Sequence, residues 1–259
     1  MTPHPSSDTW VLLRGLTREA GHWGGFVAEF EARLPGARVV CVDLPGSGAH
    51  HREVSPWRIG PMVESVREEL TARGLTPPYH LLALSLGGMV ALDWAKRRPD
   101  ELAGAVLLNT SLAGLSPLHH RLQPAAWPSL AGLAIGALHR EATVLRLTSA
   151  RPGDHAGTPS EWAAIRAARP VSAGNALRQL IAAARYRAPC VKPDVPLLLL
   201  AGARDGLVDP RCSLALARRW AVPLEMHPGA GHDLPLDDGP WVAAQVMAWR
   251  ANAVPPAPG

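Results

Sequence analysis

Tyr79-His80-Leu81-Leu82-Ala83-Leu84-Ser85-Leu86-Gly87-Gly88 is the stretch on which the reading of this chain turns. An apolar run of strand length ends in a serine, two glycines follow within three residues, and Met89 to Arg98 is compatible with a helix. A serine at a tight strand-to-helix turn presents its hydroxyl above the sheet. Small residues two positions to either side, here Ala83 and Gly87, let strand and helix approach closely. The helix start also places the backbone N–H of Leu86 where an oxyanion could form, with the dipole favouring negative charge. Taken alone, a serine near glycines ordinarily just caps a helix, so its partners decide its meaning.

The rest of the chain supplies a matching frame. Thr9 to Leu13, Arg38 to Val42, Ala103 to Leu108, Val195 to Ala201 and Val222 to Met226 are further short apolar runs that read as buried parallel strands. Ile59, Val63, Val66 and Leu70, and later Val242, Val246 and Trp249, recur at helical spacing and predict amphipathic helices covering a sheet. This alternation predicts a doubly wound α/β architecture. It breaks between about Ser111 and Pro189, where seven prolines punctuate short Ala-, Leu- and Trp-rich segments. The expected organisation is a core of residues 1–110 and 190–259 with a helical lid at 111–189. Trp162, Ile165, Leu177, Leu180 and Ile181 are expected to pack over something apolar, and the tail VPPAPG to be unfolded.

A serine hydroxyl is a weak nucleophile at neutral pH and needs a histidine base, usually oriented by an acid. Both follow downstream. Asp205 stands in Gly202-Ala203-Arg204-Asp205-Gly206, after the strand that ends at Ala201, and His232 in Gly229-Ala230-Gly231-His232-Asp233, after the last strand. Each would lie on a loop at the carboxyl edge of the sheet. Asp209 competes with Asp205 but could instead cap the helix beginning at Pro210, and the alternative histidines His80 and His227 fall within or beside strands.

In the order Ser85, Asp205, His232 the chain resembles the α/β-hydrolase family, whose nucleophile, acid and histidine sit on loops after successive strands. Val11-Leu12-Leu13-Arg14-Gly15-Leu16 looks like the family's first strand and oxyanion loop, and Asp43-Leu44-Pro45-Gly46-Ser47-Gly48 like its D-x-P-G-x-G turn. The resemblance implies Ser85 as nucleophile, Asp205 as acid, His232 as base, and Leu16 and Leu86 as donors of oxyanion N–H groups. Ala83 replaces the elbow's usual glycine, and Arg14 stands where many members carry histidine. The few residues before Thr9 leave no room for the family's first hairpin, which implies a minimal sheet of about six strands. The expected activity is hydrolysis of a small, largely apolar carboxylic ester through an acyl-enzyme. Thioesterase, lactonase, C–C hydrolase, acyltransferase and cofactor-free haloperoxidase chemistry use the same triad, and a ligand-binding protein on this scaffold is the alternative of another class.

Composition narrows the rest. The chain of 259 residues is 47% hydrophobic and 19% charged, with Gly and Pro together roughly a fifth, which suits a globular domain. A net charge of +4 is spread along the chain, so nucleic-acid binding is not expected. Cys41, Cys190 and Cys212 are too far apart for a thiolate metal site or disulfide framework, and His50-His51 and His119-His120 lack metal-ligand spacing. No nucleotide motif is complete, so no cofactor is expected. Without a leader-like N-terminus or a membrane-length apolar run, the expected location is the cytoplasm. Trp23, following His22 at the start of the next helix, is a candidate for the border of the substrate pocket.

Overall fold

A computed structural model describes residues 8–134 and 139–253. The tail expected to be unfolded, residues 254–259, lies outside them. Six strands form one sheet among these residues: β1 (Thr9–Leu13), β2 (Arg38–Val42), β3 (Tyr79–Leu84), β4 (Leu102–Leu108), β5 (Leu197–Gly202) and β6 (Leu224–His227). Their order is β2-β1-β3-β4-β5-β6, and every pair is parallel. The last two strands start two residues later than the apolar pattern predicts, just after Pro196 and Pro223. Both prolines lend carbonyls to the sheet, accepting from Ala105 and Leu199, but have no N–H to give.

The helices are α1 (Phe26–Arg33), α2 (Ile59–Ala72) and α3 (Leu86–Arg97), then α4 (Leu118–Arg121), α5 (Trp127–Ala134), α6 (Arg140–Thr148), α7 (Thr158–Ala168) and α8 (Ala173–Arg185), and finally α9 (Arg211–Trp220) and α10 (Leu234–Ala253). Side chains alternate between the faces of each strand. Val11, Leu13, Leu81 and Leu107 pack with Val63 and Val66 of α2 and Val90 and Trp94 of α3. Trp10, Leu12, Leu82 and Val106 pack on the other face with Phe30 of α1 and Val242 and Val246 of α10. Two buried layers thus sandwich the sheet, which is why its central strands β1, β3, β4 and β5 are largely apolar on both faces, while the edge strands β2 and β6 carry Arg38, Glu225 and His227. The predicted C-terminal helix through Val242, Val246 and Trp249 forms, and α10 is kinked ahead of it at Asp238, which is non-helical. Its carboxylate accepts the Trp241 N–H, an N-cap that starts a new helix two residues ahead of Pro240.

Between β4 and β5 the described chain adds helices and no strand, and the two ends of this excursion meet in a parallel bridge between Ala113 and Arg187. Trp162 is buried as expected, but Leu177 and Leu180 are 52% and 43% exposed. The face that α8 turns inward carries Asn175 and Gln179 beside Ala182 instead. Helical spacing alone cannot say which stripe of a helix is buried when polar residues find partners inside. Strand order reverses direction at β1 and β3, opening a crevice at their carboxyl ends, the general location of ligands in such sheets. No helix among the described residues is long and apolar enough to cross a membrane.

Candidate active site

Ser85 leaves β3 at that crevice. Its φ of 56° and ψ of −112° place a non-glycine residue in a strained region, a cost of about 1–3 kcal/mol that the surroundings must hold in place. They do so from both ends, since the Ser85 N–H donates to Leu108 O at 2.9 Å and Thr110 Oγ1 donates to Ser85 O at 2.9 Å. The small neighbours are required by contact: a β-carbon on Gly87 would lie 2.5 Å from Leu13 O, and one on Gly15 3.2 Å from Ser85 Cβ. Ala83 is fully buried and pairs in register with Leu13 and Leu107, so the departure from glycine there is absorbed. Leu86 opens α3, and Gly15 brings the Arg14–Thr17 loop against Ser85, so both predicted oxyanion donors belong to segments bordering the hydroxyl.

Asp205 and His232 meet. Asp205 is 4% exposed and His232 5%, and His232 Nδ1 lies 2.7 Å from Asp205 Oδ2. The other oxygen, Asp205 Oδ1, accepts the N–H groups of Leu207 and Val208, each at 2.8 Å. A carboxylate so anchored selects the tautomer with hydrogen on Nδ1 and leaves Nε2 as the acceptor. Burial pushes the His232 pKa down, but the charge and hydrogen bond of Asp205, with Asp233 adding to them, carry it above 6.5 overall. Among the described residues no hydrogen bond closes between Ser85 Oγ and His232; such links are often loose before substrate binds. Asp209 is engaged elsewhere, its carboxylate paired with the Arg211 guanidinium at 2.6 Å and bonded to the Arg211 N–H. His80 stacks on Trp10, and His227 faces Asp238 at 3.1 Å.

Two supports were not legible as motifs, and a third lies in the D-x-P-G-x-G turn. Asn109, just past β4, donates from Nδ2 to the carbonyls of Gly231 and His232 and accepts the Gly202 N–H at Oδ1. One side chain therefore ties the His232 loop to the end of the strand that leads to Asp205. Its φ of 46° is one asparagine tolerates better than most residues, which is the only local signal of its role. Arg14 makes a two-pronged ion pair with Asp233, at 3.1 and 2.5 Å, with both side chains almost wholly buried. The Asp233 carboxyl is raised by burial but drawn below its ordinary range by the charge and hydrogen bonds of Arg14. So the residue ahead of the oxyanion glycine is locked to the residue after His232, and the departure at Arg14 is matched by a partner 219 positions away. Asp43 receives the N–H groups of Ala20 and Ala49, at 2.6 and 2.8 Å, and a β-carbon on Gly48 would strike its carboxylate. The Asp and final Gly of the D-x-P-G-x-G turn thus serve loop geometry.

Trp23 is buried, with Phe26 beside it and the Arg14 guanidinium 4.7 Å above its ring. It lines a cleft of about 570 Å³ shared with Trp162, Pro235 and Leu236, and none of Ser85, Asp205 and His232 lines that cleft. The neighbouring His22 is held neutral, its pKa pushed to about 2 by burial and then by Arg18 and Arg14.

A sequence profile of the alpha/beta hydrolase family matches residues 10–245. A pimeloyl-(acyl-carrier protein) methyl ester esterase of Neisseria meningitidis serogroup B is 31% identical over 207 residues, 72% of each chain. One of the same name from Methylococcus capsulatus is 35% identical over 98 residues, a match spanning 38% of this chain and only 35% of that one. A thermophilic esterase from Thermogutta terrifontis superposes with a TM-score of 0.75 at 21% identity, covering 96% of this chain and 91% of that structure, a likeness of fold.

Proposed function

Because this chain belongs to the alpha/beta hydrolase family, we propose that it is a serine hydrolase that cleaves a small, largely apolar carboxylic ester. The observation that carries this reading is the buried 2.7 Å contact between His232 Nδ1 and Asp205 Oδ2, which leaves Nε2 as the acceptor, together with Ser85 held at the carboxyl end of β3. In the first half-reaction His232 takes the Ser85 proton as Oγ bonds to the ester carbonyl carbon. The negative charge that develops on the carbonyl oxygen is met by the N–H groups of Leu16 and Leu86. The tetrahedral intermediate collapses with cleavage of the C–O bond, and His232 returns the proton to the departing alcohol. Water then attacks the acyl-enzyme, giving its proton to His232, and the acid is released with Ser85 restored.

The names of the relatives support a methyl ester as the first substrate class to try. Cys41 and Cys212 do not compete as nucleophiles, since burial raises both thiols to about 11. The free thiols of Cys41, Cys190 and Cys212 suit a cytoplasmic location. The test is turnover of a panel of methyl esters of graded acyl length beside matched thioesters and lactones. Methyl ester hydrolysis lost by several orders of magnitude in Ser85→Ala is expected. Turnover that prefers thioester or lactone would move the substrate class, and activity untouched by Ser85→Ala would remove the mechanism.

A further inference from the structure

We infer that Gln179, on α8, is a positioning residue for the reaction: its side-chain carbonyl holds the Thr17 N–H and thereby the loop that carries the Leu16 oxyanion donor. This rests on the catalytic reading of Ser85 and Leu16 given above. Gln179 is fully buried, and its Oε1 accepts the Thr17 N–H at 2.8 Å. Its Nε2 points at Ser47 Oγ, Pro45 O and Ser55 Oγ, at 3.0, 3.3 and 3.3 Å. The amide cannot be turned over, because an NH2 group would then face the Thr17 N–H.

Thr17 is the residue that needs holding. It sits third in a turn closed by Arg18 N–H to Gly15 O, with φ of 57°, where glycine is the usual occupant and a β-branched side chain is strained. Left to itself, that backbone favours reversal of the Leu16–Thr17 peptide. The peptide is planar, so a pinned Thr17 N–H also fixes the Leu16 carbonyl in the opposite direction. Reversal would swing the Leu16 carbonyl and the Thr17 N–H, whereas the Leu16 N–H belongs to the preceding peptide; Gln179 holds that donor through the position of the loop, which it fastens one residue away while Gly15 sets the same loop against Ser85. The glutamine is in turn held in place. One helical turn earlier, Asn175 accepts the Ser55 N–H at 3.0 Å and donates to Glu53 O at 2.8 Å. Helix α8 is thus fastened by its inward amides to the 45–55 loop and to the oxyanion loop at once.

The experiment measures kcat, KM and affinity for a boronic acid, which forms a tetrahedral adduct on serine, in Gln179→Met, Gln179→Asn and Gln179→Glu. Methionine keeps the volume without the acceptor, asparagine withdraws the acceptor by one methylene, and glutamate keeps the acceptor but loses the donor to Pro45, Ser47 and Ser55. In the first two, kcat should fall about 10- to 100-fold and boronate affinity by the same factor. KM should stay within about twofold, because the lost interaction exists only in the tetrahedral state. The matched fall in kcat and boronate affinity at constant KM is a readout that a purely structural role would not give, and glutamate, which sets a second acceptor against Pro45 O, is expected to stay impaired. Should Gln179→Met not fold, Gln179→Asn carries the same prediction. Wild-type kcat and boronate affinity in folded Gln179→Met or Gln179→Asn would overturn the inference. A wild-type protein that a fluorophosphonate does not label at Ser85 would overturn the catalytic reading, and this inference with it.

Discussion

Replacing Asp205 by asparagine should abolish most activity while leaving the fold intact, for a reason visible in its bonds. Oδ1 of Asp205 receives two backbone N–H groups, and Oδ2 receives His232 Nδ1–H. Asparagine has one oxygen and one NH2. If its oxygen stays with Leu207 and Val208, its NH2 faces His232 and can be satisfied only when Nδ1 is bare, which moves the hydrogen to Nε2. The base is then occupied on the side facing Ser85. If the amide turns over, its NH2 confronts two N–H donors, at a cost of about 1–3 kcal/mol for each buried group left unpaired. The first arrangement therefore prevails, and the wrong tautomer lowers kcat by about 10⁴-fold. That factor corresponds to about 5 kcal/mol of transition-state stabilisation. The assay is kcat and kcat/KM on the preferred ester, beside thermal melting to establish folding and Asp209→Asn as control, which should stay within about twofold because Asp209 is paired with Arg211. Asp205→Asn retaining a tenth or more of wild-type kcat, or Asp209→Asn falling as far as Asp205→Asn, would refute the assignment of the acid.

Three other outcomes follow from the same contacts. His232 must be neutral to accept a proton and its pKa is raised, so activity should fall as pH drops through a midpoint above 6.5 in a kcat/KM profile; a midpoint below 6.5 would contradict the Asp205 contact. Arg14→Met strands Asp233 as a buried charge and should cost about 3–5 kcal/mol in denaturant unfolding, most of it recovered in Arg14→Met with Asp233→Leu. Asn109→Gly keeps the positive φ but removes three hydrogen bonds, so it should lose about 3 kcal/mol of stability and at least about tenfold in kcat; loss of stability alone would separate the loop clamp from catalysis.

What the sequence made legible and what it hid divide along physical lines. The central strands carried their own signal because both faces of the sheet are covered there, so each reads as a largely apolar run, whereas the position of Ser85 at the switch between β1 and β3 emerges only from the strand order. Asp205 and His232 were visible because each follows a strand on a short loop. Their supports were not, because each depends on two distant groups meeting. Arg14 reads as an oddity until Asp233 faces it, and Asn109 as a loop residue until Gly231 and Gly202 converge on it. Gln179 is the sharpest case. On the helical pattern of α8 the apolar residues Leu177 and Leu180 claim the core, yet they face solvent while the glutamine is buried. A buried amide is stable only with its partners in place, and those come from residues 17 and 45–55, which no periodicity within 173–185 can announce.

The activated serine can be tested without knowing the substrate, by intact-mass measurement after exposure to a fluorophosphonate, with peptide mapping of the adduct. One phosphonyl group per chain on Ser85, absent in Ser85→Ala and strongly slowed in His232→Ala, is the result expected. Folded wild-type protein that gains no mass, or an adduct mapped to another residue, would contradict it.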